Sequence, residues 1–195
     1  MELLEKDIID TERLYNDMSL FLSRNDFWDK RQISLTSVTG DNDWDASTGL
    51  VADLKYAERL YRAINRDLEG SYMAELIQKY KQYFRWRLLL VPCNTTYTIH
   101  TDNYKVGTDK VNKRIHIPIC TNPGSYFCYY GAKAGDGVET TVKFHHLPIG
   151  STYEVDADSF HTAVNFGDTP RYHKVRIRYE YCLLYTSDAA DEEDS

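Results

Sequence analysis

Thr98-Ile99-His100-Thr101-Asp102 sets an imidazole and a carboxylate two residues apart, and His161 offers a second imidazole further along the chain. Side chains of a strand alternate faces, so His100 and Asp102 share one face while Thr101 takes the other. Two imidazoles and one carboxylate on one face of an octahedron leave the remaining positions open. That donor set suits a non-haem Fe(II) centre. H-x-D is a weak signal by itself, so the residues around it must carry the rest.

Three further features follow in order: Arg114-Ile115-His116-Ile117-Pro118-Ile119, then His161-Thr162-Ala163-Val164-Asn165, then Arg171. Arg114 and His116 again stand two apart and share a face. Arg171 supplies a planar fork that pairs bidentately with a carboxylate. Other titratable groups fit a site less well. His145 and His146 are adjacent, so on a strand they face opposite ways and cannot serve one metal. Asp41, Asp43 and Asp45 are spaced like a calcium loop, yet no Gly follows at the sixth position and no Glu closes at the twelfth. Cys93, Cys120, Cys128 and Cys182 form no C-x-x-C and no zinc spacing, so they read as free thiols of a reducing compartment. Cys120 and Cys128 read as small core residues, and Asn165 as a residue that fixes the turn or the strand carrying His161.

The elements that must position these groups divide the chain in two. Over residues 1–31, Leu3, Ile8, Leu14, Met18 and Leu22 space an apolar stripe, which predicts helix followed by irregular chain. Residues 33–38 alternate apolar and polar and predict a short strand; 39–49 are rich in turn formers and predict a loop. Residues 53–84 carry the strongest helical spacing, interrupted at Gly70. From 85 onward the texture is that of strands, over 86–91, 97–100, 114–119, 126–130, 138–144, 151–155, 161–165 and 172–181. Turn residues at Asn94, Gly107, Pro123-Gly124, Gly135-Asp136-Gly137, 148–150 and 167–170 punctuate them. Eight short strands in about a hundred residues predict a mostly β, α+β chain whose core is a jelly-roll or cupin-like double sheet supported by N-terminal helices.

At 195 residues the chain reads as one domain over 1–181, a helical and mixed buttress over 1–84 and a β-core over 85–181. Residues 182–195 form an acidic tail that resembles the translation of a sequencing adapter, the alternative being an ordinary acidic disordered tail. The 42% hydrophobic and 13% aromatic content excludes a wholly disordered chain. A net charge of −7 with no Lys/Arg cluster argues against nucleic acid as partner. The charged amino terminus lacks an apolar h-region, and the longest apolar run is far too short for a bilayer span, so a cytoplasmic protein without a membrane partner is expected.

The ordered set of motifs resembles the aspartyl/asparaginyl β-hydroxylase-like family of Fe(II)- and 2-oxoglutarate-dependent dioxygenases, over about Leu88 to Tyr181. The family's H-x-D matches at His100 and Asp102, its R-x-H-x-P-I at Arg114 to Ile119, its turn glycine at Gly150, and its H-x-x-x-N followed by Arg at His161, Asn165 and Arg171. The resemblance implies a double-stranded β-helix in which His100, Asp102 and His161 hold Fe(II). It implies that Arg171 grips the distal carboxylate of 2-oxoglutarate, that His116 contacts this cosubstrate, and that Arg114 meets a carboxylate of the substrate. Hairpin arithmetic offers a second clamp: with a turn centred on Asp168 and Thr169, the residue opposite His161 is nearer Arg176. The implied reaction consumes dioxygen and 2-oxoglutarate to hydroxylate an unactivated carbon of a free amino acid or an acidic peptide side chain. Two other classes compete. A differently catalytic or sensing cupin draws on three His and a Glu, and the H-x-H with a following Glu is missing here; an interaction module predicts no tight iron site.

Overall fold

In a computed structural model, the structure describes residues 2–5, 8–102, 110–132 and 140–181, with side chains at 8–50, 52–102, 113–131 and 141–173. The turns read at Gly107 and Gly135-Asp136-Gly137, the strand start at Val138, the thiol of Cys182, and the tail lie outside the described residues.

Helix α1 (Thr11–Asn25) begins where Asp10 accepts a hydrogen bond from Arg13 N at 3.0 Å, satisfying a donor that the first turn leaves open. It ends at Asp26, which takes the left-handed conformation at φ 55°. Leu14, Met18, Phe21 and Leu22 bury one stripe of it. The chain before α1 departs from the helical reading: β1 (Glu2–Glu5) pairs antiparallel with β10 (Thr152–Asp156). The reading of 33–38 divides into β2 (Gln32–Ser34) and β3 (Thr36–Ser37), and residues 33–37 are buried throughout.

The largest departure lies between 53 and 84. Only α2 (Tyr72–Lys79), capped by Ser71 Oγ accepting from Ala74 N at 3.1 Å, is α-helical. Upstream stand three single 3-10 turns and β4 (Ala63–Ile64). The physical reason is that distant partners take the backbone groups a helix would need. Asn65 N donates to Leu35 O at 3.1 Å, and Tyr61 O accepts from Arg85 N at 2.8 Å. Tertiary pairing overrides a weak local preference.

The remaining strands are β5 (Phe84–Val91), β6 (Thr95–Thr96), β7 (Lys110–Cys120), β8 (Ser125–Ala132), β9 (Thr140–His145), β10, β11 (His161–Asn165) and β12 (Arg171–Tyr181). Their pairing is nested. The first of these eight lies against the last (β5 with β12), the second against the seventh (β6 with β11), the third against the sixth (β7 with β10) and the fourth against the fifth (β8 with β9). A long hairpin folded over on itself gives this order, and it deals the strands into two sheets: β1-β10-β7-β12-β5-β2 and β6-β11-β8-β9. The turn entering β10 uses Gly150 at φ 86°, as the motif reading expected.

Strand periodicity then sorts the residues of the larger sheet. Trp86, Leu88 and Leu90 of β5 and Ile115, Ile117 and Ile119 of β7 join Leu14, Met18, Leu22, Met73, Leu76 and Ile77 in the main core beneath the helices. The alternate residues, Arg85, Arg87, Leu89 and Val91 of β5 and Arg114 and His116 of β7, line a cavity instead. A smaller cluster of Phe127, Leu147, Tyr153 and Val155 closes the other part of the interior. Among the described residues no helix is long and apolar enough to cross a membrane, and Cys93, Cys120 and Cys128 are free thiols, Cys128 fully buried.

Candidate metal centre

His161 opens β11, and an isolated antiparallel bridge ties it to His100: each backbone N–H donates to the other's carbonyl, at 2.9 and 3.0 Å. Residues 97–100 are therefore extended but form no continuous strand, contrary to the sequence reading; the regular pairing is confined to β6. Asp102 N donates to Ala157 O at 2.8 Å, which fixes the third group. Each residue offers one ligand atom, and these atoms lie within 4.8 Å of one another.

The hydrogen bonds of the two rings decide which nitrogen faces a metal. His100 Nδ1 lies 2.7 Å from Thr98 O, and His161 Nδ1 lies 2.8 Å from Ser159 O. A carbonyl only accepts, so Nδ1 carries a proton in both rings, and Nε2 is the nitrogen left for a metal. Both Nε2 atoms turn to the same carboxylate, 3.6 Å from Asp102 Oδ1 for His100 and 3.4 Å from Oδ2 for His161. Burial by itself would raise the Asp102 carboxyl, but the bond to His161, then the charge of Arg114, bring it down to about 2. The group is thus an anion at neutral pH. Phe127 stacks on His161, with ring centroids 5.2 Å apart and planes 16° from parallel, and blocks its free rotation. Two imidazoles of pinned orientation and one carboxylate fit an Fe(II) ion.

The cavity of about 510 Å³ beside this triad lies between the two sheets, a size ordinary for a small-molecule site. Arg171, wholly buried at the start of β12, sits in it with His173, whose Nε2 accepts from Arg171 Nε. No carboxylate stands beside this guanidinium among the described residues, and Nη1 is buried without a hydrogen-bond partner. Burial brings its pKa down to about 9. His116 and His173 approach each other at 5.8 Å between ring centroids. Burial first, and then the Arg171 charge, holds both imidazoles neutral, far below their ordinary pKa. Arg114 Nη2 donates to Asp102 Oδ1 at 2.7 Å, so this arginine is engaged by the candidate ligand itself.

No family model matches the sequence, and a search of curated proteins finds no match. Solved structures do. The chain is similar to AviO1 from Streptomyces viridochromogenes Tue57 at 14% identity and a TM-score of 0.53, covering 93% of this chain and 89% of that one. It is similar to EvdMO1 at 14% identity and a TM-score of 0.50, covering 92% of this chain and 47% of that one. A third similar structure is the non-heme alpha ketoglutarate dependent epimerase SnoN from nogalamycin biosynthesis, at 12% identity and a TM-score of 0.48, covering 90% and 76%. Together with the nested pairing of eight strands in two sheets, this likeness shows a jelly-roll fold.

The nested order of this jelly roll corrects the hairpin arithmetic for Arg176. Consecutive strands β11 and β12 belong to different sheets, so no turn at Asp168 and Thr169 brings them into register. Arg176 is instead paired by backbone with Ile115, a residue of the main core; its side chain lies outside those described. Asn165 is a fully buried brace, as read: its Oδ1 accepts from Asn122, Ser125 and Gly167, and its Nδ2 donates to Val91 O and Thr169 O. His146 Nδ1 donates to Ser125 O and His145 packs on Tyr129, and neither lines the cavity.

Several cavity residues escaped the sequence reading. His173 follows Arg171 by two, the same spacing that marked His100 and Asp102, and that signal was present. Arg85 sits at a bulge of β5 in the left-handed conformation, φ 56°, which is uncommon for a residue with a Cβ. Three bonds hold it there: Nε to Ser47 O at 2.9 Å, Nη2 to Gly49 O at 2.9 Å, and Nη1 to Glu58. The pair is buried, with 1% and 4% side-chain exposure. Glu58→Ala leaves a buried cation without its anion and is expected to cost about 3–5 kcal/mol, read as a lowered midpoint in urea. A midpoint within experimental error of wild type would show that Glu58 does not compensate Arg85.

Arg85 also draws Gly49 and Leu50 to the cavity, so the N-terminal half contributes Gln32, Gly49 and Leu50 to its wall. The acids of the preceding loop stay outside: Asp41 pairs with Arg66 at 3.0 Å and Asp45 with Lys30 at 2.9 Å, all on the surface. Exposed pairs contribute about 0–1 kcal/mol. Changing Asp41, Asp43 and Asp45 together to Asn is therefore expected to leave ligand binding and turnover within about threefold of wild type. Loss of turnover in a folded triple variant would place the loop at the reacting centre.

Proposed function

We propose that this chain is an Fe(II)- and 2-oxoglutarate-dependent dioxygenase of the aspartyl/asparaginyl β-hydroxylase-like kind, which hydroxylates an unactivated carbon of an amino acid or of an Asp/Asn-type peptide side chain. The observation that carries the reading is the convergence of two Nε2 atoms and an ionised carboxylate in the same cavity as a buried guanidinium that has no anion among the described residues. His100, His161 and Asp102 would hold the iron. When bound, iron with 2-oxoglutarate and dioxygen supplies the oxidation, in which cosubstrate decarboxylation to succinate and CO2 accompanies C–H hydroxylation.

The protein's own work is position and exclusion of water. Thr98 O and Ser159 O keep the protons on Nδ1 of the two ligand imidazoles. Arg171 donates to the distal carboxylate of 2-oxoglutarate, with His173 holding Nε so that the fork keeps one orientation. His116, neutral and buried, offers the cosubstrate a hydrogen bond without adding charge. Arg114 anchors Asp102 and limits the carboxylate's freedom to turn. Phe127 and the β5 residues Leu89 and Val91 supply apolar wall.

The test is a turnover screen. Protein reconstituted with Fe(II) is mixed under air with 2-oxoglutarate and one candidate amino acid or Asp/Asn peptide at a time, and succinate is measured. Stoichiometric succinate and hydroxylated product with one candidate is the expected result. Iron that binds at the triad without any 2-oxoglutarate binding would sink the reading in favour of a metal-binding cupin of other function.

A further inference from the structure

The cavity holds one more guanidinium without a carboxylate than the distal carboxylate of the cosubstrate explains. Among the described residues four arginines line it: Arg85, Arg87, Arg114 and Arg171. Two have carboxylate partners, Arg85 with Glu58 and Arg114 with Asp102. That leaves two. Arg171 is the cation already assigned; Arg87 is the other, and no motif pointed to it.

Arg87 is 4% exposed. Its Nη1 donates to Gln32 Oε1 at 3.0 Å, and its Nε is buried without a hydrogen-bond partner. A buried guanidinium with one neutral acceptor is costly to keep unless an anion joins it in the working state. Its place in the sheet separates it from Arg171. Arg171 pairs in register with Val91, whereas Arg87 lies four residues back along β5, opposite Ser34 of β2. At roughly 3.3 Å per residue the two rows stand roughly 13 Å apart. The row of Arg87 runs through Val175 to His116, which stands two residues along β7 from Arg114, the partner of Asp102. Gln32 Oε1 also accepts from Gly49 N at 3.3 Å, so its oxygen is used twice and its NH2 is left as a further donor next to the guanidinium.

We infer that Arg87, with Gln32, is the seat of a carboxylate carried by the primary substrate, so that the substrate is an anion gripped at the β2–β5 end of the cavity while 2-oxoglutarate occupies the Arg171 end. The inference rests on the dioxygenase reading for its naming of the ligand as substrate. A guanidinium edge beside an amide suits a planar carboxylate. It also reassigns the substrate contact expected of Arg114, whose Nη2 is already bound to Asp102.

Two experiments test it. In the first, crystals are soaked in bromide and the anion is located by anomalous scattering. Wild type is expected to show bromide against both Arg87 and Arg171, and Arg87→Met to lose the first site only. Bromide at Arg171 but not at Arg87 overturns the inference. Bromide at Arg87 in a protein that binds no iron would sink the dioxygenase reading and leave the anion seat standing. In the second, each compound that stimulates succinate formation is compared with its carboxamide. Arg87→Met is expected to weaken binding of the carboxylate form by about 30-fold or more, with 2-oxoglutarate affinity held within about threefold and Arg87→Lys recovering part of the loss. A stimulating compound without a carboxylate, or equal losses for acid and amide, overturns the assignment.

Discussion

His161→Ala and His100→Ala should each abolish stoichiometric Fe(II) binding while the protein stays folded. Groups that merely orient a metal ligand change affinity by about 10–100-fold when lost, and removing a ligand outright should exceed that. Asp102→Asn should act differently from either. It removes the anion that Arg114 holds at 2.7 Å, so it exposes a buried cation as well as deleting a ligand, and it should lower stability as well as metal affinity. The measurement is anaerobic titration with Fe(II), followed by metal analysis after gel filtration, with circular dichroism as the check on folding. One equivalent of iron retained in both histidine variants would sink the triad. Alanine at His145 or His146 serves as the control, since neither lines the cavity, and should leave the stoichiometry at one.

Arg171→Ala should lower 2-oxoglutarate affinity by about 30-fold to several thousand-fold, the equivalent of about 2–5 kcal/mol for a carboxylate left without its charge-assisted partner. Iron binding should survive, because the guanidinium touches none of the three ligands. Arg171→Lys should recover only part of the loss, since a point charge cannot reproduce two parallel bonds. His173 gives an internal check. It accepts from Arg171 Nε, so His173→Leu should weaken cosubstrate binding without removing the positive charge, by less than Arg171→Ala does. Arg176→Ala should leave cosubstrate affinity intact, because its backbone register is with Ile115 of the main core. If Arg176→Ala abolishes 2-oxoglutarate binding and Arg171→Ala does not, the clamp has been misassigned.

The site was more legible in the sequence than its setting. His100, Asp102, Arg114, His116 and Arg171 all came from spacings of two residues or from motif order, and all of them, with His161, line one cavity. Period-two alternation is a local property, and a short spacing suffices to state it. Helix α1 was legible for the same reason, because its apolar stripe follows a capping Asp10. Residues 53–71 were misread because Leu54, Ala57, Leu60, Tyr61 and Ile64 have helical spacing, while the backbone groups of Tyr61 and Asn65 are claimed by Arg85 and Leu35, which lie far away in the chain. The two-strand arithmetic that nominated Arg176 failed on topology. It assumed that neighbours in sequence are neighbours in one sheet, and a folded-over hairpin deals β11 and β12 to opposite sheets.

What the sequence by itself determined is the donor set and its face: which side chains carry lone pairs or charge, and which of them must point the same way. Only the tertiary structure decided their partners. That Arg114 is bound by Asp102, that Glu58 neutralises Arg85, and that Arg87 and Arg171 have no carboxylate among the described residues depend on contacts across 12 and 27 residues and between two sheets. Burial then sets the chemistry of each. A guanidinium on a surface is satisfied by water, but the same group enclosed between sheets must find an anion or keep its donors idle. The pairing order of eight strands decides which arginines are enclosed, and no local pattern encodes that order.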